Sequence, residues 1–315
     1  MEKLKTSPVE IVESDQTLQF KTGSLWYLAF RRLIRNRSSQ VGMFLLGSLI
    51  LIAIFAKQIA PFDPTVSMIA VEDVKRRTPP CIHLLGCPES EPQHIMGTDS
   101  SVRDFYSRII YGSRVSLFIG LSTVGSAILI GTLLGAAAGY NGGWLNIGIM
   151  SVMDAMLAFP VLLLALAMVA VLGPGLQNII IAIAVVQIPR YARITSANVL
   201  ALKEKEFIEA SRALGGGHFH ILLKRILPNT LAPLIIMGTL GVASAILDVA
   251  ALSFLGFGPD SQIPEWGAML GAERNQVFTA PHLVFYPGIA IMLTVLAFNL
   301  VGDGLRDALD PRLDR

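Results

Sequence analysis

Between Val115 and Met153 the chain carries no Asp, Glu, Lys or Arg, and after Asp154 the same is true from Ala155 to Pro189. A soluble fold has no means of hiding such runs, whereas a bilayer crossing needs roughly 20 apolar residues in a helix. In hydrocarbon every backbone N–H and C=O must be satisfied within the segment, which leaves a helix as the form of a single crossing. Composition agrees: 15% of the 315 residues are charged, against about 25% in soluble domains. An all-α polytopic membrane protein is expected.

Apolar runs place six spans at roughly 41–60, 115–140, 147–172, 176–196, 229–256 and 283–302. The fourth is interrupted by Pro189, Arg190 and Arg193, and Pro160 is expected to kink the third. The first run starts at Val41, after a polar and basic stretch, and is long enough to stay as an anchor, so no cleavable signal is evident. Basic residues in short flanks set orientation. Lys21, Arg31, Arg32, Arg35 and Arg37 precede the first span with no acid between them. Arg190, Arg193, Lys203, Lys205, Arg212, Lys224 and Arg225 gather around the end of the fourth. Residues 173–177 are uncharged, and Arg274 is the one cation of Lys or Arg type in 257–282. Both termini are therefore expected in the cytoplasm, with 1–40 and 303–315 as cytoplasmic segments and 61–114 as an extracytoplasmic loop. That loop dissents, carrying Lys75, Arg76, Arg77, Arg103, Arg108 and Arg114. In 24–37, Trp26, Phe30 and Leu33 recur at helical spacing opposite arginines, which suits a helix on the cytoplasmic leaflet or against a protein neighbour. A net charge of +2 without a basic–aromatic pattern gives no case for nucleic acid.

Four-residue spacing puts Gly131, Gly135 and Gly139 on one helix face, where small residues let a second backbone approach. Residues 204–229, EKEFIEASRALGGGHFHILLKRILPN, form a helical pattern, a break at Gly215, Gly216 and Gly217, and a second amphipathic stretch ending at Pro228. That is a shape for docking a soluble partner. No Gly-Lys-Ser/Thr follows the glycines, so the run is not a phosphate cradle. The chain lacks a Walker A pattern, and any nucleotide hydrolysis must come from another polypeptide. Cys81 and Cys87 form a disulfide if the 61–114 loop faces an oxidising compartment, or stay as two thiols. Asp154 and Asp248 lie within spans, where an acid is a functional suspect. His218, His220 and His282 show no partner pattern, and His83 with His94 makes a poor metal set.

Glu209-Ala210-Ser211, Gly215 and Leu227-Pro228 resemble the signature of ABC importer permeases, which runs Glu-Ala-Ala, three residues, Gly, nine residues, Ile, one residue, Leu-Pro. Ser211 and Arg225 depart from it. His94-Ile95-Met96-Gly97-Thr98-Asp99 with Arg103-Asp104, Leu252-Ser253-Phe254-Leu255-Gly256, Pro264-Glu265-Trp266-Gly267, Gly302-Asp303-Gly304-Leu305-Arg306-Asp307 and Asp310-Pro311 resemble the dipeptide/oligopeptide/nickel group, in particular its C-type subunit. Residues 68–92 look like an insertion relative to it. The resemblance implies a type I importer permease fold in a bacterial inner membrane, with 115–302 as the core domain. It implies peptide as cargo, or nickel chelates, glutathione or another small solute. It implies a second permease, two ATP-binding subunits holding ATP and Mg, and an extracytoplasmic binding protein, with no cofactor on this chain and no enzymatic activity of its own. Residues 204–228 would couple ATPase motion to the spans, Glu209 offering a carboxylate and Gly215 permitting a bend.

Two other classes fit less well. An intramembrane aspartyl protease would pair Asp154 with Asp303, but Leu300-Val301-Gly302-Asp303 lacks the first glycine of Gly-x-Gly-Asp. A passive channel or a receptor has no need of the helix–glycine–helix.

Overall fold

The computed structural model describes residues 25–70 and 74–309. Lys21, Ser24, Asp310 and Pro311 lie outside the described residues, as does the side chain of Trp26. Helices dominate: α1 (Leu25–Arg35), α2 (Arg37–Ile54), α3 (Phe105–Asn141), α4 (Gly143–Leu157), α5 (Val161–Leu172), α6 (Leu176–Lys203), α7 (Glu206–Ala213), α8 (Leu227–Leu252), α9 (Trp266–Glu273) and α10 (His282–Leu309). Among the described residues there is no strand. Five helices are long and apolar enough to cross a membrane: α2, α3, α6, α8 with its extensions, and α10.

The sixth expected span is not a single helix. α4 and α5 are bent by 94° relative to each other, with α4 ending at Leu157 and α5 beginning after Pro160. Proline lacks the N–H that would continue the ladder, so the expected kink becomes a full break. The reverse holds in α6, which runs through Pro189 to Lys203, beyond the end expected at 196. α3 starts at Phe105 rather than near 115 because its first turns are buried in protein. Asp104 caps it, accepting from the Ser107 N–H at 2.7 Å. Leu33 of α1 is buried beside Ala308 of α10, whereas Phe30 is exposed. The amphipathic helix thus takes a protein neighbour on its Leu33 side.

The dissenting basic loop is explained by what its arginines hold. Arg103 pairs with Asp99 at 2.8 Å and donates to the Ser261 carbonyl at 2.8 Å. Arg108 donates to the carbonyls of Ser261 (2.8 Å) and Pro64 (2.9 Å). Arg77 meets Glu273 at 3.0 Å, and the other oxygen of Glu273 accepts from the Ser100 N–H at 2.9 Å. His94 and Asp104 form a buried pair at 2.8 Å. These contacts bind the 61–104 loop to the 257–281 loop at one end of the bundle, and buried Trp266 donates its indole N–H to the Ile109 carbonyl (3.1 Å). Glu265 caps α9 through the N–H groups of Gly267 and Ala268 (2.8 and 2.7 Å), and burial pushes its carboxyl above the usual range despite those two bonds. Cys81 and Cys87 are joined in a disulfide, their Cα atoms 5.5 Å apart. Glu91 lies close to both sulfurs, but bonded sulfurs are not available as thiolate ligands.

The most extensive helix pair is α3 with α6, and the three spaced glycines make it. A methyl group on Gly131 would stand 2.9 Å from the Ile188 carbonyl oxygen, one on Gly139 2.7 Å from that of Ser196, and one on Gly135 2.8 Å from Thr195 Cβ. Gly125, on the same helix, has nothing within 4 Å. Gly135→Val is therefore expected to cost about 1–3 kcal/mol by overpacking and to lower the thermal midpoint of the detergent-solubilised protein. Gly125→Ala should leave it unchanged. Equal midpoints for both variants would contradict this packing.

Candidate functional site

At the opposite end of α3 from the arginine-pinned loops, residues 204–226 fold back against the bundle. α7 presents Ile208, which is fully buried with Ile221, Ile226, Val199 of α6 and Ala136 of α3. Two polar ties flank this small core. Tyr140, near the end of α3, shares a 2.9 Å hydrogen bond between its hydroxyl and His218 Nδ1. Lys203, at the end of α6, donates to the Tyr140 carbonyl at 2.9 Å. The segment is thereby clamped to the ends of the two helices that the glycines lock together.

The bend has a defined construction. Gly215 has φ +81°, a region that L side chains enter only at a cost. Its N–H donates to the Arg212 carbonyl (2.9 Å), and the Gly216 N–H donates to that of Ser211 (2.9 Å). This is the Schellman closure of a helix, with glycine at the left-handed position. Gly216 has its own reason: a Cβ there would stand 2.7 Å from the Ser211 carbonyl oxygen. Glu209 and Ala210 are exposed, Ser211 is half-buried, and Leu214 is 89% exposed beside exposed Phe207 and Phe219. One side of the segment is fixed to the bundle, and the other carries an apolar crest with an exposed carboxylate.

Arg225, which departs from the Ile of the signature, is exposed, while Ile226 is fully buried. Residues Leu222–Ile226 form a π turn. The extra residue of such a turn rotates the next helical residues by about 100° and brings Ile226 to the buried face. Leu227 packs on the same small core, and Pro228 stands in the first turn of α8, where its missing N–H costs nothing.

A second feature lies within the bundle. The break between α4 and α5 opens a cleft of about 530 Å³ against α6 and α8, whose polar lining is Gln187, Arg190, Arg193, Ser244 and Asp248. Arg193 faces Asp154 at 3.6 Å, both side chains more than half exposed. Asp154 thus has a cation, not a second carboxylate, as its partner.

Sequence reasoning reaches Glu209, Gly215 and the spaced glycines, and leaves out the clamp. His218 has a partner after all, Tyr140, which pattern could not supply because the two are far apart in the chain. The cleft was signalled by Arg190 and Arg193 interrupting a span and by the acids Asp154 and Asp248 within spans, but not by anything that brought them together.

In comparison with known proteins, residues 131–315 match the family described as binding-protein-dependent transport system inner membrane component. Residues 24–80 match the N-terminal TM domain of oligopeptide transport permease C. The chain is 46% identical over 295 residues to the dipeptide transport system permease protein DppC of Alkalihalophilus pseudofirmus, covering 94% of this chain and 92% of the relative. It is 44% identical over 278 residues to the di/tripeptide transport system permease protein DppC of Pseudomonas aeruginosa (88% and 89% covered). It is 41% identical over 289 residues to the glutathione transport system permease protein GsiD of Pectobacterium atrosepticum (91% of each).

The left-handed backbone at Gly215 yields a prediction. Gly215→Ala should cost about 1–2 kcal/mol and speed amide hydrogen exchange over Glu206–Gly216 by roughly 5–30-fold, with exchange in α3 and α6 unchanged. Unaltered exchange in the segment would contradict the cap.

Proposed function

The chain belongs to the family of binding-protein-dependent transport system inner membrane components, and from that premise we propose that it forms one half of an ATP-driven import pathway for short peptides. It is a multi-pass inner-membrane transport permease, a member of a system with further subunits. Peptide cargo is supported by the names of two relatives, which transport dipeptides and di- or tripeptides. Glutathione, itself a tripeptide, is the second reading, favoured by the third relative.

The observation that carries the proposal is the clamped segment at 204–226. A docking element must present free surface to a soluble partner and pass the resulting displacement on. Leu214, Phe207, Phe219 and Glu209 supply the surface. Ile208, Ile221 and the Tyr140–His218 bond tie it to α3 and α6. In this reading two ATP-binding subunits close on ATP and Mg, and each draws on the coupling segment of one permease. Glu209 accepts from a basic group on the ATPase, while Gly215, Leu227 and Pro228 keep the segment's shape. The displacement passes through α3 and α6 to the bundle as one of two alternating states, biased by a ligand on a partner chain. In this reading both termini and the coupling segment lie in the cytoplasm, which the basic flanks at 31–37 and 190–225 support. An extracytoplasmic binding protein then meets the opposite end, where a disulfide-closed loop suits an oxidising compartment. A second permease of similar build completes the pathway.

The test is uptake of labelled di- to pentapeptides and of nickel in cells lacking this chain. Complementation uses the native protein or the Glu209→Ala, Gly215→Asp double variant. The proposal expects peptide uptake to be lost on deletion and restored by the native protein alone, with nickel uptake unaffected. Full restoration by the double variant at equal expression would remove the coupling role. Loss of nickel uptake with peptide uptake intact would remove the peptide cargo.

A further inference from the structure

We propose that the cleft between α6, α8 and the α4–α5 break is a transit site for zwitterionic peptides, with Asp248 receiving the ammonium end and Arg190, beside the Arg193–Asp154 pair, the carboxylate end. The inference rests on the import reading and specifies where, and in which direction of charge, a peptide is held within this chain.

Two charges of the cleft have no ion-pair partner, and one buried amide oxygen has no hydrogen-bond partner. Asp248 is the one ionisable residue in α8. Among the described residues neither Asp248 nor Arg190 forms an ion pair. Gln187 is only 8% exposed, and its buried amide oxygen has no hydrogen-bond partner. An unpaired charge in a span is costly and persists where it faces water or a bound group, and a buried amide oxygen without a partner carries a further cost. All three line the same opening.

The order of charge then selects the ligand. Gln187, Arg190 and Arg193 are spaced three apart, so they follow one face of α6. At 1.5 Å per residue, Gln187 and Arg193 are about 9 Å apart along the axis. Asp248 lies within reach of the Gln187 amide, which makes that end of the cleft negative; at the other end Asp154 offsets Arg193, and Arg190 leaves a net positive charge. A group that satisfies both ends is amphoteric, with a cation and an anion separated by several ångströms. An extended chain rises about 3.3–3.6 Å per residue, so a di- or tripeptide spans this distance. Guanidinium groups match a terminal carboxylate in geometry as well as charge, and the unpartnered Gln187 oxygen can accept from a peptide N–H. The aliphatic remainder of the wall, with Leu157, Val161 and Val186, makes no demand on side-chain identity. The volume, about 530 Å³, is in the range of pockets that enclose small organic ligands.

The experiment uses the assembled importer, with its binding protein, in proteoliposomes. Labelled dialanine is the probe. The native cysteines are held in the Cys81–Cys87 disulfide, so the thiol introduced by Ser244→Cys reports from the cleft wall through its reaction with an anionic methanethiosulfonate. Dialanine delivered with ATP should slow that reaction. Arg190→Gln and Asp248→Asn should each lower dialanine uptake by about tenfold or more, the scale for losing one hydrogen bond to a charged group, and Arg190→Lys should recover most of the loss. Native dialanine uptake combined with unslowed labelling, or with both neutral variants importing at the native rate, would overturn the cleft assignment and leave the import reading standing. No dialanine uptake by the native importer would overturn the peptide reading itself, and the ligand assigned to the cleft with it.

Discussion

Everything else in this structure depends on how closely two backbones approach along α3 and α6. Lipid tails are as apolar as leucine, so burial supplies no drive for helices to associate in a bilayer, and close van der Waals contact must do so. Gly131, Gly135 and Gly139 provide it by leaving room for the backbone at Ile188, Ala192 and Ser196. The pair then serves as a strut about 55 Å long on the α3 side, from its 37 residues. The arginine-pinned loops hold one end. At the other end Lys203 ties α6 to Tyr140 of α3, and Tyr140 with the Ile208 core holds the exposed segment. α6 also carries the arginines of the cleft, so a displacement of the segment reaches the cleft through one rigid element.

Much of this was legible in the sequence because it is local. The charge-free runs required membrane helices. The glycine spacing marked a contact face, although it did not say that α6 would meet it. Gly215 announced a helix end because a left-handed cap has few alternatives to glycine. The contacts that convert these parts into a mechanism join residues distant in the chain: Tyr140 to His218, Arg77 to Glu273, Arg108 to Ser261. Each depends on how the helices are arranged, which no local pattern contains.

Proline shows the same limit from another side. Pro160 and Pro189 read alike in sequence, and each removes a backbone donor. The first sits at a 94° break and the second inside an unbroken helix. α6 is enclosed by α3, α5 and α8, and such packing can support a helix through a missing bond. Between α4 and α5 the chain turns and opens the cleft. Arg225 is a smaller instance: its mismatch to the signature is absorbed by a π turn that delivers Ile226 to the buried position instead. The basic residues of the 61–114 loop appeared to oppose the charge bias, but Arg77, Arg103 and Arg108 are engaged in ion pairs and carbonyl contacts that build the loop.

The central claim is that the exposed segment and the α3–α6 strut move as one body. Pulsed electron resonance between spin labels at Ala213 and Leu121, both exposed, measures this in the assembled transporter. The account predicts a single narrow distance distribution that is the same without nucleotide and with ATP held on the partner subunits. A shift or splitting of about 5 Å or more between the two states, the size of a one-turn slip of packed elements, would show that the segment moves independently of the strut and would contradict the account.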